Sequence, residues 1–164
     1  MLLYLLRHAE AIDAYPDPAR VLTPKGRGDA EALGRHLARQ NLELPFEIWS
    51  SPYARAQETA RLLVRGHGSD REVETREGLT PDDDPIALLP ELAAVEDDLL
   101  LVGHNPHLAI LAGQLLGGSA AQVAVHFRKC TLMRFERVKR SPRDTSPVWV
   151  LDWMLAPKLF RRVG

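Results

Sequence analysis

Short runs that are rich in apolar residues recur along this chain, and each is followed by a polar or helix-forming segment. The first three are LLYLL at 2–6, FEIWS at 46–50 and the stretch at 98–103. Runs of this kind are typical of strands that are buried on both faces of a sheet. Two further extended runs, 129–138 and 147–155, are joined by a polar segment, which is the pattern of a hairpin.

Four stretches between these runs have the spacing or the boundary residues of helices. They are 22–41, 51–66, 84–97 and 105–118. Thr23 and Ser51 are predicted N-caps, and each is followed by a proline at the first helical position. Gly66 and the pair at 117–118 are predicted to end their helices, and Pro90 to interrupt the third helix.

The order of the elements predicts the fold. Parallel β-α units come first and an antiparallel pair comes last, which indicates a three-layer α/β/α sandwich around a mostly parallel central sheet. The chain of 164 residues has the size of one domain, and we expect a single domain over 1–164. In such sheets, ligands bind beyond the carboxyl ends of the strands.

Composition narrows the kinds of partner. The chain is 45% hydrophobic and 26% charged, which is ordinary for a globular protein, and its formal net charge is -1. A nearly neutral chain has no overall field that would draw it to nucleic acid or to an anionic membrane, so neither is an expected partner. Any bound anion must be held by a local cluster of cations.

Cys130 is the only cysteine, which excludes an intrachain disulfide and a cysteine-based metal cage. The sequence has neither a signal-peptide pattern nor an apolar run of membrane length, and a cytoplasmic location is predicted. His104 and His107 are separated by a strand-to-helix turn and have no carboxylate cluster beside them. No metal site is therefore predicted, and His107 is expected on the helix surface or behind a functional site.

Basic side chains follow three of the predicted strands. Arg7 and His8 come directly after the first strand. Arg55 lies in the first turn after the second strand, and His104 directly follows the third. If these strands are parallel neighbours, two guanidinium groups and two imidazoles meet at one edge of the sheet, near two helix N-termini. This set of donors suits a phosphate group.

Four segments in the right order resemble the motifs of the histidine phosphatase (phosphoglycerate mutase-like) superfamily, and of its short phosphohistidine phosphatase (SixA-type) branch. LLRHAEA resembles the arginine-histidine signature, and LTPKGRGDAEALGRHL the helix that follows it. SSPYARAQETA is similar to the second-arginine motif, and LLLVGHNPHL to the second-histidine motif. The resemblance spans residues 2 to about 113 and implies the sandwich fold with an antiparallel strand near the C-terminus.

The resemblance implies a role for each matching residue. His8 is expected to attack phosphorus and form a phosphohistidine intermediate, without a cofactor. Arg7 and Arg55 are expected to bind the non-bridging phosphoryl oxygens. His104 is expected to donate a further hydrogen bond, and Asn105 is grouped with the phosphate-binding residues. The attacking ring nitrogen must be neutral, so the other nitrogen needs a hydrogen-bond partner, which the sequence does not identify.

Ala9 departs from the family pattern, because the family usually has glycine there. We expect the methyl group to be tolerated where the backbone angles allow it.

The proton donor for the leaving group is a second departure. In TREGLTPDDDP, Gly78 stands where the short branch has glutamate, so Glu77, Asp82 and Glu10 are all candidates, and a reaction that needs no enzyme acid is the alternative. Asp13, in the same loop as Glu10, is a further candidate. The three aspartates at 82–84 also fit a solvated turn and a helix N-cap.

The missing acid bears on the substrate. A phosphoester oxygen must be protonated as it leaves, whereas the imidazole nitrogen of phosphohistidine leaves more readily. The short segment before the third strand also has no room for a large lid. Phosphohistidine on a protein is therefore the favoured substrate. A small-molecule phosphomonoesterase of the same superfamily and a non-catalytic phosphate-binding protein are the alternatives, although a mere anion binder needs no nucleophile.

The remaining basic and aromatic residues have structural interpretations. The basic run 137–143 is predicted to be a solvated hairpin loop rather than a dock for an acidic partner. The second Arg-His pair, at 35–36, falls in mid-helix and is predicted to face solvent. His67 and His126 are expected to be structural or solvated. The three tryptophans are predicted to be strand residues rather than stacking platforms for nucleic acid.

Overall fold

A six-stranded mixed sheet forms the centre of the protein in the computed structural model, which describes residues 1–117, 124–138 and 148–161. The strands are β1 Leu2–Arg7, β2 Glu47–Ser50, β3 Glu74–Thr75, β4 Leu99–Gly103, β5 Leu132–Val138 and β6 Val148–Leu155. Their order across the sheet is β3-β2-β4-β1-β5-β6. The first four strands in that order are parallel, and β5 and β6 pair antiparallel, which confirms the predicted fold class.

Five α-helices accompany the sheet in the described residues. They are α1 Pro24–Arg39, α2 Ala54–His67, α3 Leu89–Ala94, α4 His107–Gly117 and α5 Pro157–Phe160, with 3-10 helices at Asp17–Ala19 and Pro85–Leu88. The sequence pattern did not predict β3, α5 or the first 3-10 helix. All three are too short to show a periodic pattern of apolar residues.

The sheet is buried on both faces, as the continuous apolar runs predict. Along β1, Leu3 packs in one core cluster with Leu108 of α4, and Leu6 packs in a second cluster with Leu63 of α2. Successive strand residues point to opposite faces, so each face of β1 needs its own layer of helices. The two clusters are the two interfaces of the three-layer sandwich.

The predicted start and end of α2 were wrong by about two residues. Ser51 precedes the helix, whose N-cap is Tyr53 and carries no side-chain capping bond. Gly66 lies inside the helix, and Gly68 ends it with a φ of 80°, a left-handed conformation that glycine adopts without strain. The Ser51 hydroxyl is therefore available to the functional site.

Other predicted helix boundaries are confirmed. The Thr23 side chain accepts a hydrogen bond from the Gly26 backbone N–H at 3.0 Å. The third helical stretch is divided, and Pro90 lies in the first turn of α3 after a separate 3-10 helix. Asp84 caps that 3-10 helix by accepting a bond from the Ile86 backbone N–H, as the solvated-turn interpretation expects.

Several sequence-based interpretations fall on residues outside the described ranges. These are Gly118, the polar connection 139–146 and most of the basic run 137–143. Trp49 is buried and Trp149 and Trp153 are half-buried, all on strands as predicted. Among the helices of the described segments, none combines the length and the apolar character that crossing a membrane requires.

Candidate active site

The strands that precede the predicted functional residues end together at one edge of the sheet. In the parallel register, Arg7 lies opposite Gly103. The His8 backbone N–H donates to the Gly103 carbonyl at 2.9 Å, and the Ser51 N–H donates to the Val102 carbonyl at 2.9 Å. The chain thus leaves β1, β2 and β4 side by side, and the side chains that follow share one space.

Two imidazoles and two guanidinium groups meet there. The ring centroids of His8 and His104 are 5.0 Å apart. The Tyr53 ring contacts both His104 and Arg55. Its centroid is 5.1 Å from the centroid of the His104 ring and 4.9 Å from the Arg55 guanidinium carbon. The positive charges of Arg55 and Arg7 both act on His8. The predicted strand-end residues are therefore brought together.

His8 is held as a neutral imidazole with one free nitrogen. Its Nδ1 lies 2.7 Å from the Ala9 carbonyl oxygen, which can only accept, so Nδ1 carries the proton and Nε2 keeps its lone pair. Burial, reinforced by the charges of Arg55, Arg7 and Lys129, lowers the pKa of His8 from 6.5 to about 3, against an opposing contribution from the Ala9 carbonyl. The carbonyl is the partner that the sequence could not identify.

His104 is a candidate hydrogen-bond donor. Its Nε2 lies 2.8 Å from the Ser51 Oγ, which also accepts a bond from the Tyr53 backbone N–H at 3.3 Å. With the Ser51 hydroxyl as the donor to Nε2, the ring proton of His104 lies on Nδ1. That atom is buried and has no partner within the described ranges. Burial, together with the neighbouring His8 and the charge of Arg55, lowers the pKa of His104 to about 2.

Arg7 shares an acceptor with Asn105. The Arg7 Nη1 donates to the Phe127 carbonyl at 2.8 Å, and the Asn105 Nδ2 donates to the same oxygen at 3.0 Å. Burial and the charge of Arg55 lower the pKa of Arg7. The Asn105 amide thus supports the segment at Phe127, so its predicted contact with phosphate stays a prediction.

Arg55 is buried, and a loop carboxylate holds it. Its Nη1 donates to the Asp17 carbonyl at 2.8 Å, and its Nη2 to the Asp17 Oδ2 at 3.0 Å. The other Asp17 oxygen accepts from Arg20 at 2.9 Å. Hydrogen bonds from Arg20 and Arg55 hold the pKa of Asp17 below its usual value. Sequence reasoning missed Asp17, because it lies in mid-loop rather than at the end of a strand.

Thr59 joins α2 to the loop after β1. Its hydroxyl donates to the Arg55 carbonyl at 2.6 Å and accepts from the Ala9 backbone N–H at 3.0 Å. Ala9 is fully buried and has no positive φ, so alanine is tolerated there as expected. The sequence did contain a signal that could have identified Thr59, because it is a polar residue on the buried face of the amphipathic helix α2.

Glu10 is a poor candidate for the proton donor. One of its carboxylate oxygens accepts from the Lys25 Nζ at 2.7 Å, and the other from the Thr23 hydroxyl at 3.0 Å. These bonds lower the pKa of Glu10, so the carboxylate stays ionised. Its contacts connect the loop after His8 to the start of α1.

The other candidate acids lie on exposed segments. Glu77 directly follows Arg76, whose backbone N–H donates to the Ser50 carbonyl at 2.9 Å, so Glu77 begins at the same edge of the sheet as Ser51. Asp82 and Asp13 are exposed. Glu77 is therefore the candidate best placed by its backbone, although its exposed side chain makes no polar contact within the described ranges.

His107 is buried rather than on the helix surface, with 1% of its area exposed. The expected position on the helix surface is therefore wrong, and a role behind the functional site stays a prediction. In the described segments, no three histidine, cysteine, aspartate or glutamate side chains gather as a metal ion would require.

A known family model matches nearly half of the chain. The model of the histidine phosphatase superfamily (branch 1) matches residues 3–80, a span that includes Arg7, His8 and Arg55. The sheet beyond that span continues in the same fold, as the structural neighbours demonstrate. This match confirms the resemblance to the histidine phosphatase superfamily that the four motifs carry. Together with the structural neighbours, it indicates a phosphatase, a hydrolase.

Solved structures of histidine phosphatases share the fold of this chain. The protein histidine phosphatase SixA, in complex with tungstate, superposes with a TM-score of 0.83 at 23% identity, over 97% of this chain and 99% of that chain. The Agrobacterium tumefaciens protein assigned as phosphohistidine phosphatase SixA gives 0.74 at 25% identity, over 95% and 97%.

Phosphatases of small phosphate esters are also among the neighbours. An Entamoeba histolytica phosphoserine phosphatase mutant, in complex with phosphoserine, gives a TM-score of 0.65 at 18% identity, over 96% of this chain and 98% of that chain. No curated protein sequence matches this one.

Proposed function

We propose that this histidine phosphatase removes phosphoryl groups from phosphohistidine on a protein, through a phosphorylated His8. The observation that carries the proposal is the state of the His8 ring: buried, neutral and with Nδ1 tied to the Ala9 carbonyl. Its Nε2 is then the free nucleophile, next to two guanidinium groups that can bind an anion.

In the first step, Nε2 of His8 attacks phosphorus and the bond from phosphorus to the substrate nitrogen breaks. The leaving imidazole nitrogen takes a proton from water. Arg7 and Arg55 bind the non-bridging oxygens, on which negative charge is spread in the transition state. His104 donates through Nδ1 to one of them, a role supported by its hydrogen bond to Ser51 at Nε2.

In the second step, a water oxygen attacks phosphorus and the bond between phosphorus and Nε2 breaks. The products are inorganic phosphate and free His8, so water supplies both the hydroxyl group of the phosphate and the proton on the substrate. The phosphorylated ring keeps its Nδ1 bond to the Ala9 carbonyl throughout, which keeps Nε2 directed at the same place.

The choice of phosphohistidine rests on the leaving group and on the shape of the site. Glu10 is engaged with Lys25, and the other candidate acids are exposed, so the site suits a leaving group that needs little help from an acid. The site also opens into a wide groove rather than a closed pocket. The neighbours that act on small phosphate esters leave a phosphomonoesterase as the alternative substrate class, and the substrate comparison below separates the two.

The first test is acid-labile phosphorylation of His8. We expect wild-type protein to take radioactive phosphate from a histidine-phosphorylated protein and to lose the label in acid. His8→Ala should carry no label and turn over at least about a thousandfold more slowly, because it lacks the nucleophile. His36→Ala is the matched control, since it removes the histidine of the second Arg-His pair, and it should behave as wild type.

Unchanged turnover in His8→Ala would remove that residue from the mechanism. A phosphoryl-binding protein without activity would give neither label nor turnover in the wild type. For the substrate class, kcat/KM on the phosphohistidine protein is compared with kcat/KM on para-nitrophenyl phosphate and 3-phosphoglycerate. A higher value on the esters would favour the phosphomonoesterase. Activity should persist in chelator and be inhibited by vanadate.

We propose further that residues 1–164 form one domain, which is supported by the single sheet that all six strands join. A cytoplasmic location stays a prediction from the cysteine content.

A further inference from the structure

A groove of about 1170 Å³ opens beside the phosphoryl site. One wall is the segment 124–131, and the other is Met154 of β6 together with α5 and its flanks. Arg7 and Asn105 line the groove where it meets the active site. The volume is above the roughly 300–1,000 Å³ of pockets that hold small ligands, and far above what one phosphoryl group needs.

The wall at 124–131 is built onto the catalytic strand. The Phe127 carbonyl accepts from both Arg7 and Asn105. The Cys130 backbone N–H donates to the carbonyls of Arg7 and His8, at 3.0 and 3.1 Å. This wall therefore has a fixed position relative to the His8 ring, since the same backbone supports both.

The lining of the groove carries a surplus of positive charge. It contains six lysine or arginine side chains and two carboxylates, on a chain whose net charge is -1. Both carboxylates are engaged: Glu10 pairs with Lys25 at 2.7 Å, and Asp29 pairs with Arg161. Arg128, Lys129 and Lys158 are exposed and form no ion pair with any residue that the structure describes.

The lining between these cations is aliphatic. Ala124, Val125, Met154, Ala156 and Pro157 contribute to it, and Phe127 is buried with 1% of its area exposed. Nucleic acid that is bound along a basic groove stacks its bases on exposed aromatic rings. Within the described ranges, this lining has no exposed phenylalanine, tyrosine or tryptophan, and His126 is its one exposed aromatic ring. Aliphatic side chains among free cations match the surface of an acidic protein.

We infer that the groove docks the acidic surface of the phosphohistidine protein, with carboxylates of the substrate against Arg128 on one wall and Lys158 on the other. The inference rests on the proposed function and names the kind of protein that carries the phosphohistidine. Docking in this groove presents the phosphoryl group to His8 beside Arg7, and it favours acidic partners over neutral ones before any chemistry occurs.

Two synthetic peptides test the inference. Each contains one histidine that is phosphorylated with phosphoramidate, and its flanking residues are either glutamates or glutamines. We expect wild-type kcat/KM to be about tenfold higher for the glutamate peptide in low salt, and the preference to fall between about 50 and about 500 mM NaCl as screening increases. Arg128→Glu/Lys158→Glu should lose or reverse the preference. The preference is measured within that variant as the ratio of kcat/KM for the glutamate peptide to kcat/KM for the glutamine peptide.

The control variant is Arg35→Glu/Arg39→Glu, which makes the same change in net charge toward the far end of α1. It should keep the wild-type ratio. Equal kcat/KM for the two peptides in wild-type protein, or an unchanged ratio in Arg128→Glu/Lys158→Glu, would overturn the docking inference and leave the proposed function standing. If neither peptide is dephosphorylated while para-nitrophenyl phosphate is, the proposed function itself fails.

A competition experiment tests whether the groove prefers nucleic acid to an acidic protein. Polyglutamate should inhibit turnover of the glutamate peptide more strongly than a single-stranded RNA of equal total charge. Stronger inhibition by the RNA would mean that the groove selects nucleic acid, and the acidic-protein inference would be wrong.

Discussion

Asp17 fixes the guanidinium group of Arg55. Two of its oxygens, one from the backbone and one from the carboxylate, accept from two different nitrogens of Arg55. Arg55 is therefore oriented before any phosphoryl group arrives, and orientation of this kind lowers the cost of binding the transition state. The same carboxylate is held in place by Arg20.

Replacement of Asp17 tests this orientation. In Asp17→Asn, the charged bond to Arg55 becomes a weaker neutral one, and we expect kcat/KM to fall and vanadate affinity to weaken by about tenfold each, which corresponds to roughly 1.4 kcal/mol. Asp70→Asn, an exposed carboxylate after α2, is the control and should change neither quantity. Tighter vanadate binding by Asp17→Asn would instead mean that the aspartate competes with the anion for Arg55.

The buried histidines predict how the protein responds to acid. Burial lowers the pKa of His8 to about 3 and that of His104 to about 2, whereas a histidine in an unfolded chain has a pKa of about 6.5. Between these values the unfolded chain binds more protons than the folded protein. The contribution of these histidines to the free energy of unfolding should therefore be fully present above about pH 6.5. It should fall as the pH is lowered from there toward 3.

Two measurements check this behaviour. Ring signals of His8 and His104 in nuclear magnetic resonance, assigned from single-residue variants, should not titrate between about pH 8 and about pH 5. The free energy of unfolding in urea should decrease less on acidification for His8→Gln than for wild-type protein, because one low-pKa group is removed. A ring signal with a midpoint near 6.5 would contradict the neutral nucleophile.

At the scale of elements, α1 and α2 touch through glycine. A Cβ added to Gly34 would lie 2.2 Å from the Leu63 carbonyl oxygen and 2.6 Å from the His67 backbone nitrogen, so α1 lies against the backbone of α2. This contact sets the position of the helix that carries Arg55.

We expect Gly34→Ala to be destabilising by about 1–3 kcal/mol, because backbone atoms have to move apart. Gly28→Ala is the matched control on the same helix: its added Cβ meets nothing within 4 Å, and alanine favours helix, so it should be stabilising by about 0.5–1 kcal/mol. Urea unfolding of the two variants measures both effects. Equal stability of the two variants would contradict the close contact.

The boundaries of α2 illustrate what element-level patterns can and cannot predict. The Ser51-Pro52 pair has the form of a helix start, but the helix begins at Ala54. A serine can cap a helix or bond to a distant side chain, and only the fold decides which. Here the Ser51 hydroxyl forms a hydrogen bond with the ring of His104, which follows a different strand.

At the scale of the whole molecule, the sequence predicted the layers and the meeting of the strand-end residues well. Buried apolar runs require helices on both faces, and parallel strands bring their carboxyl ends to one edge. The contacts of Asp17, Thr59 and Phe127 could not be predicted in the same way. Asp17 and Phe127 lie on segments that close over the edge, and the conformation of such segments has no periodic signal in the sequence. Thr59 is a polar residue on the buried face of α2, but its partner Ala9 lies in a loop.

The bond from Arg7 to the Phe127 carbonyl has a consequence for how such a protein can diversify. The acceptor belongs to the main chain, so no change of side chain at that position deletes it. Residues that flank it, such as Arg128 and Val125, face the groove and can vary while the oxygen stays where Arg7 requires it. Partner preference can then drift from one descendant to another while the chemistry is inherited intact.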